Sequence, residues 1–167
     1  MQVPGKMYID SGGGTPSNLA QADLYVFPTE GYSSSNPANT PTPTLIVSDP
    51  DPEADAHGAA LTKHGRYLWV VADRGRNRIW SVDTRTDQIA NLISLESDLS
   101  PDPTPDLVAV SPNGSHAFLS LRGPNPLTAD PHVSIGSTPG VGILKITGGG
   151  RVRLKSGSRS LGGAALV

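Results

Sequence analysis

The stretch YLWVVADRGRNRIWSVDTRTDQI, residues 67–89, decides how this chain folds. It reads as two short strands, Tyr67–Ala72 and Ile79–Val82, joined through Arg74-Gly75-Arg76-Asn77. A second turn, Asp83-Thr84-Arg85-Thr86-Asp87, leads into a third strand. β-Branched and aromatic residues suit a pleated surface, and Gly, Asn and Asp suit the turns between. The first strand is apolar at nearly every position, which predicts neighbours on both of its faces. In the second, Trp80 and Val82 alternate with Ser81 and Asp83, the pattern of a more peripheral strand. A hairpin of this kind cannot bury both faces by itself, so the question is what packs against it.

The unit recurs. HGAALTKHGRYLWVVADRGRN (57–77) aligns with DLVAVSPNGSHAFLSLRGPN (106–125) at an offset of 49: His57 falls on Asp106, Ala60 on Ala109, Thr62 on Ser111 and Gly65 on Gly114. With one residue deleted from the second copy, Arg74-Gly75-x-Asn77 falls on Arg122-Gly123-x-Asn125. Asn113-Gly114 is a strong hairpin signal. An incomplete copy comes first: KMYIDSGG (6–13) matches the second strand of the unit, ADLYVFP (22–28) the third and TLIVSD (44–49) the fourth, while GILKIT (142–147) is the third strand of the last copy.

Four antiparallel strands in 40–50 residues are the signature of a β-propeller blade. The expected fold is all-β: a partial β-propeller of about three four-stranded antiparallel blades, at 6–49, 57–95 and 106–147 of a domain spanning 1–147. The first blade lacks its first strand in this reading. An open antiparallel sandwich is the competing arrangement. Two long connections, 29–43 and 124–140, are rich in Pro, Ser, Thr and Asn and are the natural places for binding.

Composition agrees. With 19 Gly and 16 Pro in 167 residues, turns are dense and no window sustains a helical period. No apolar run approaches the roughly 18 residues of a membrane span. Residues 1–30 carry no basic start followed by an apolar core, the pattern of a signal peptide. The absence of Cys excludes disulfides and thiolate metal sites. Residues 1–147 hold nine Lys and Arg against fifteen Asp and Glu, a balance of −6, whereas 148–167 hold Arg151, Arg153, Lys155 and Arg159 without an acid, +4. That basic, Gly/Ser-rich tail is expected to be disordered or foreign to the domain. It has no aromatic to stack on a base, so nucleic acid is not an expected partner.

AHGAALTKHGRYLWVVADRGRNRIWSVDTRTDQI (56–89) and PDLVAVSPNGSHAFLSLRGPN (105–125) resemble the YVTN-type β-propeller family, which overlaps the lactonase-like seven-bladed propellers. The carriers are the His-Gly start, the Ser-Pro-Asn-Gly turn and the strand ending in Asp-Thr-x-Thr. Val70-Val71-Ala72-Asp73 stands where the Tyr-Val-Thr-Asn signature would be, a departure from the pattern. The resemblance covers about 6–147. It implies an extracellular or periplasmic setting for the parent family; the sequence itself names no compartment. Some lactonase-like propellers resemble 6-phosphogluconolactonase and hydrolyse a sugar lactone. Such rings close with about seven blades, so self-association or missing blades would have to complete this one, and an apolar face should be uncovered at each end.

His57 and Asp106 open the first strand of successive units, the strand that lines a propeller's channel. Both side chains are therefore expected on innermost strands, at one channel edge; capping of turns is the simpler role. Asp51, Glu53 and Asp55 precede His57, and Asp102 precedes Asp106. A complete ring of such groups could hold a divalent cation weakly. Two positions are too few for a tight metal site, and no cofactor is expected. Arg74 and Arg122 could clamp a carboxylate or phosphate, bridge blades, or pair with acids such as Asp73. Asp130 and His132 are loop binding candidates or parts of a Pro-shaped turn; His64 and His116 read as exposed and structural. Gly12-Gly13-Gly14 is no phosphate loop, and no Ser lies in a Gly-x-Ser-x-Gly elbow. No catalytic residue is assigned. The expected role is a non-catalytic scaffold presenting loops to a protein, glycan or small ligand. A lactonase-like hydrolase using His57 with Arg74 or Arg122 is the alternative.

Overall fold

A computed structural model describes residues 2–11, 22–36, 41–62, 68–125, 135–147 and 151–154. Among them are twelve strands and no helix: β1 (Gln2–Val3), β2 (Lys6–Asp10), β3 (Ala22–Pro28), β4 (Thr44–Asp49), β5 (Ala56–Leu61), β6 (Leu68–Asp73), β7 (Arg78–Asp83), β8 (Gln88–Ser94), β9 (Pro105–Val110), β10 (His116–Leu121), β11 (Gly140–Thr147) and β12 (Arg151–Leu154). They form three separate antiparallel meanders, β1–β4, β5–β8 and β9–β12, each in sequence order. Three four-stranded sheets packed face to face are a partial β-propeller, not one open sheet. Within each blade tight turns hold the register. Gly114 takes a φ of 68° in the β9–β10 hairpin, where Asn113 Oδ1 accepts from the Ser115 amide at 3.1 Å.

Two details depart from the sequence reading. The first blade has a first strand after all, the two-residue β1, paired Gln2↔Met7 and Val3↔Lys6 through a turn in which Gly5 has a φ of 77°. The third blade does not end at 147. Arg151–Leu154 pairs with β11, Thr147 opposite Arg151 and Leu144 opposite Leu154, so these tail residues supply the blade's fourth strand. Arg-Val-Arg-Leu alternates polar and apolar, a period-two signal that the basic charge obscured.

The middle blade is covered on both faces. Val71, Trp80 and Val82 pack against Tyr8, Ala22, Leu24 and Val26 of the first blade. Ala72, Ile79 and Leu95 pack against Ala117, Leu119 and Leu144 of the third. Because side chains alternate across a strand, β7 sends Trp80 and Val82 one way and Ile79 the other. It is therefore buried almost throughout, Ser81 and Asp83 included, and is not the peripheral strand its polar residues suggested.

Polar contacts fix the first junction. The phenol of Tyr8 donates to Asp87 Oδ1 and, at 3.2 Å, to the Thr84 carbonyl, while Lys6 Nζ lies 2.6 Å from Asp87 Oδ2. The Asp-Thr-Arg-Thr-Asp turn of one blade thus receives a cation and a phenol from the preceding blade. Burial and the neighbouring Asp87 push the Tyr8 phenol far above its ordinary range.

Candidate functional site

The connection from β4 to β5 is built of Asx turns. Asp49 Oδ1 accepts from the Asp51 amide and Asp51 Oδ1 from the Glu53 amide, each at 3.0 Å. These turns deliver Asp55, 1% exposed, to the mouth of β5. Its amide donates to Asp73 Oδ1 at 2.9 Å, and its carboxylate accepts from Arg74 Nε at 2.5 Å. Gly75 follows because a Cβ there would sit 1.6 Å from the Glu53 carbonyl oxygen.

β5 and β9 lie side by side across the seam between the second and third blades. Each is irregular near its start: pairing with β6 shifts between Ala56 and Ala59, and pairing of β9 with β10 shifts opposite Leu119–Leu121. Bulges re-aim side chains, and these two fall at His57 and at Asp106. His57 Nδ1 lies 2.6 Å from Asp106 Oδ1, Arg122 Nη2 donates to Asp106 Oδ2 at 2.6 Å, and Arg74 Nη1 is 3.6 Å from Asp106 Oδ1. The four channel candidates of the sequence therefore meet, around one carboxylate. Asp106 and Arg74 are nearly enclosed, Arg122 is partly open, and His57, 39% exposed, is the group that faces solvent.

Arg74 and Arg122 balance Asp55 and Asp106, so the cluster is neutral when His57 is neutral and carries one positive charge when it is protonated. Two buried atoms of this cluster have no hydrogen-bond partner among the described residues, Asp106 Oδ1 and Arg122 Nε. The His57 ring nitrogen lies 2.6 Å from that oxygen. His57 also acts on Asp10 of β2, whose carboxyl is raised by burial and partly drawn back by its own backbone and by His57. Among the described residues no three His, Cys, Asp or Glu side chains gather closely enough to hold a metal ion.

Asp73 is not a partner of the recurring arginines. It belongs to a second network, in which Arg78 Nε donates to Asp73 Oδ2 at 2.7 Å, the same guanidinium pairs with Asp49, and its Cζ lies 4.9 Å from the centroid of the Trp80 ring. Desolvation raises the Asp73 carboxyl above its ordinary value despite the hydrogen bonds that oppose it. A raised folded value means that Asp73 favours the folded state most fully below its unfolded value and loses that contribution as pH rises through the folded one. Relative to Asp73→Asn, which does not titrate, the wild-type urea midpoint is expected to fall as pH rises above the ordinary carboxylate range. An unchanged difference, or one of opposite sign, contradicts the burial argument.

Sequence reasoning named Asp55 only as a neighbouring acid and missed Thr104. Thr104 has a φ of 40°, rare for a β-branched residue, and its amide donates to Asn77 Oδ1 at 2.8 Å. Its hydroxyl bonds Asp102 Oδ1 and the Ile135 carbonyl, and Ser137 N donates to the Asp102 carbonyl at 2.6 Å. The base of the 124–140 connection is thereby tied beside Asp106. The recurring Arg-Gly-x-Asn was the available signal for Asn77. Asp130, His132 and His64 lie outside the described residues. His116 lies at the start of β10, its ring 2.8 Å from Ser115 Oγ and stacked on Phe118.

The described ends of the two long connections lie at opposite ends of their blades. Successive turns of a meander alternate between its ends, and 29–43 joins a third strand to a fourth while 124–140 joins a second to a third. Of the two, only 124–140 joins strands at the end that carries His57 and Asp106.

No family model matches the chain, and no curated protein matches it. Solved structures do. The β-propeller domain of Cps50 (Swd1) from Myceliophteria thermophila aligns with 80% of this chain at a TM-score of 0.48 and 8% identity. The chain spans 40% of that structure's length. The three meanders and their packing themselves define the chain as a partial β-propeller.

Proposed function

We propose that the chain is a non-catalytic binding module of the YVTN/lactonase-like propeller kind. It receives a protein, glycan or small polar ligand at the blade end that bears His57, Asp106 and the 124–140 connection. One observation carries this reading: the charged groups of the seam are committed to one another. Asp106 is shared by Arg74, Arg122 and His57, and Asp55 is held by Arg74. A hydrolase needs a base able to take a proton and a donor free to meet an oxyanion. Here the carboxylates and guanidiniums answer each other and stiffen the inner strands, leaving His57 to meet a ligand. Its closeness to Asp106 favours the second reading, a lactonase-like hydrolase in which Asp106 orients His57 as base.

Incubation with a 6-phosphosugar lactone separates the two readings. The binding module gives no hydrolysis above buffer, and calorimetry with Ca²⁺ or Zn²⁺ shows no tight site. Glycan and peptide arrays then give binding that His57→Ala weakens about tenfold, roughly the 1.4 kcal/mol of one polar contact. Lactone turnover that disappears in His57→Ala overturns the proposal in favour of the hydrolase.

A further inference from the structure

The two outer blades leave faces that no part of the described chain covers. On the first blade the residues pointing away from the middle blade are Met7, Ile9, Tyr25, Phe27 and Leu45. The pairs Met7↔Phe27, Ile9↔Tyr25 and Tyr25↔Leu45 set them in adjoining rows. Ile9 and Leu45 are 38% and 50% exposed. On the third blade the residues pointing away are Leu107, Phe118, Val141 and Ile143, with Phe118 opposite Ile143. Leu107 and Val141 are more than half exposed. Apolar rows of this size on both end sheets mark an interaction surface.

The two faces are the unused halves of a junction that the chain already makes twice. In each internal junction, one blade offers the face carrying Leu24 or Ile79, and the next offers the face carrying Trp80 or Leu144. By strand alternation, Tyr25 and Phe27 stand on the same kind of face as Trp80 and Val82, and Phe118 and Ile143 on the same kind as Ala72 and Ile79. The charges agree too. At the first junction Lys6 reaches an acid in the third-to-fourth turn of the next blade. Lys145, exposed on the free face of the third blade, lies at the same end of its blade as Glu30, exposed in the third-to-fourth connection of the first.

We propose that the free face of β9–β11 in one copy seats on the free face of β2–β4 in a second copy, head to tail. A heterologous contact of this kind closes into a ring or propagates. Two copies of three blades bring six around one axis, within the roughly four to eight of closed propellers, so the pair closes with both junctions made. The occupant is a second copy because the face it must match is present, with complementary charge, on this same chain. The proposal concerns assembly alone and stands or falls independently of what the module binds.

Light scattering and sedimentation of the full chain test it, with Leu45→Asp and Val141→Asp as variants at exposed positions. The wild type should run at twice the 17.3 kDa of the chain. Each variant alone should be a folded monomer, because each has lost one half of every junction. Their equimolar mixture should form a pair through the one junction left intact. A monomeric wild type, or a wild type that grows into a broad range of larger masses, overturns the closed pair. Dimers of either variant alone show like-to-like contact and overturn the head-to-tail arrangement. If a variant fails to fold, Ile9→Asp or Leu107→Asp takes its place on the same face.

Discussion

Gly58→Ala is expected to lower stability by about 3 kcal/mol or more, at the upper end of overpacking effects. A Cβ at this position would lie 1.9 Å from the Asp106 carbonyl oxygen and 2.7 Å from Leu107 Cα. Both are backbone atoms, so no rotamer change relieves the clash and β5 must part from β9. The separation would also pull His57 and Arg74 from Asp106, adding lost ion contacts to the steric term. Gly142→Ala is the comparison: the nearest atoms are Leu119 and Leu121 side-chain carbons at 3.4 Å, which can adjust. Urea denaturation of the two variants should give a small loss for Gly142→Ala and a large one for Gly58→Ala. Equal losses would mean that the two strands do not meet as described.

Asp106→Ala is expected to cost about 3 kcal/mol, the lower end for stripping one partner from a buried pair. Arg74 retains Asp55, but among the described residues Arg122 has no second acid, and its Nε has no hydrogen-bond partner there. Asp106→Asn should fall between, since an amide oxygen still accepts from Arg122 without the charge. Because Asp106 is only 12% exposed, added salt should change the difference little. A loss below about 0.5 kcal/mol, the scale of ordinary surface substitutions, would show that the cluster does not hold the seam.

Much of this arrangement could be read from residue order. The recurrence of His57 on Asp106 and of Arg74 on Arg122 places each pair at one point of a repeated unit, and on adjoining blades these points lie close together. That logic located the cluster but not its pairing. That Arg74 takes Asp55 while Arg78 takes Asp73 depends on the Asx turns at 49–55 and on where β5 bulges, neither of which has a periodic signature. The burial of Ser81 and Asp83 was hidden for another reason: polar residues in a strand usually face water, and here a neighbouring blade stands in its place. β12 was hidden by its charge, and β1 by its length of two residues, too short for any pattern.

The second and third blades meet along β5 and β9, with Gly58 against the backbone at Asp106 and Leu107. Nuclear Overhauser spectroscopy reads that contact directly, between residues 49 apart in the chain. The account predicts a strong cross-peak between the α protons of Gly58 and Leu107, present in the wild type and unchanged in Val141→Asp. Its absence in a folded, assigned sample, with the β5–β6 cross-peaks present, would mean that the blades do not share this seam.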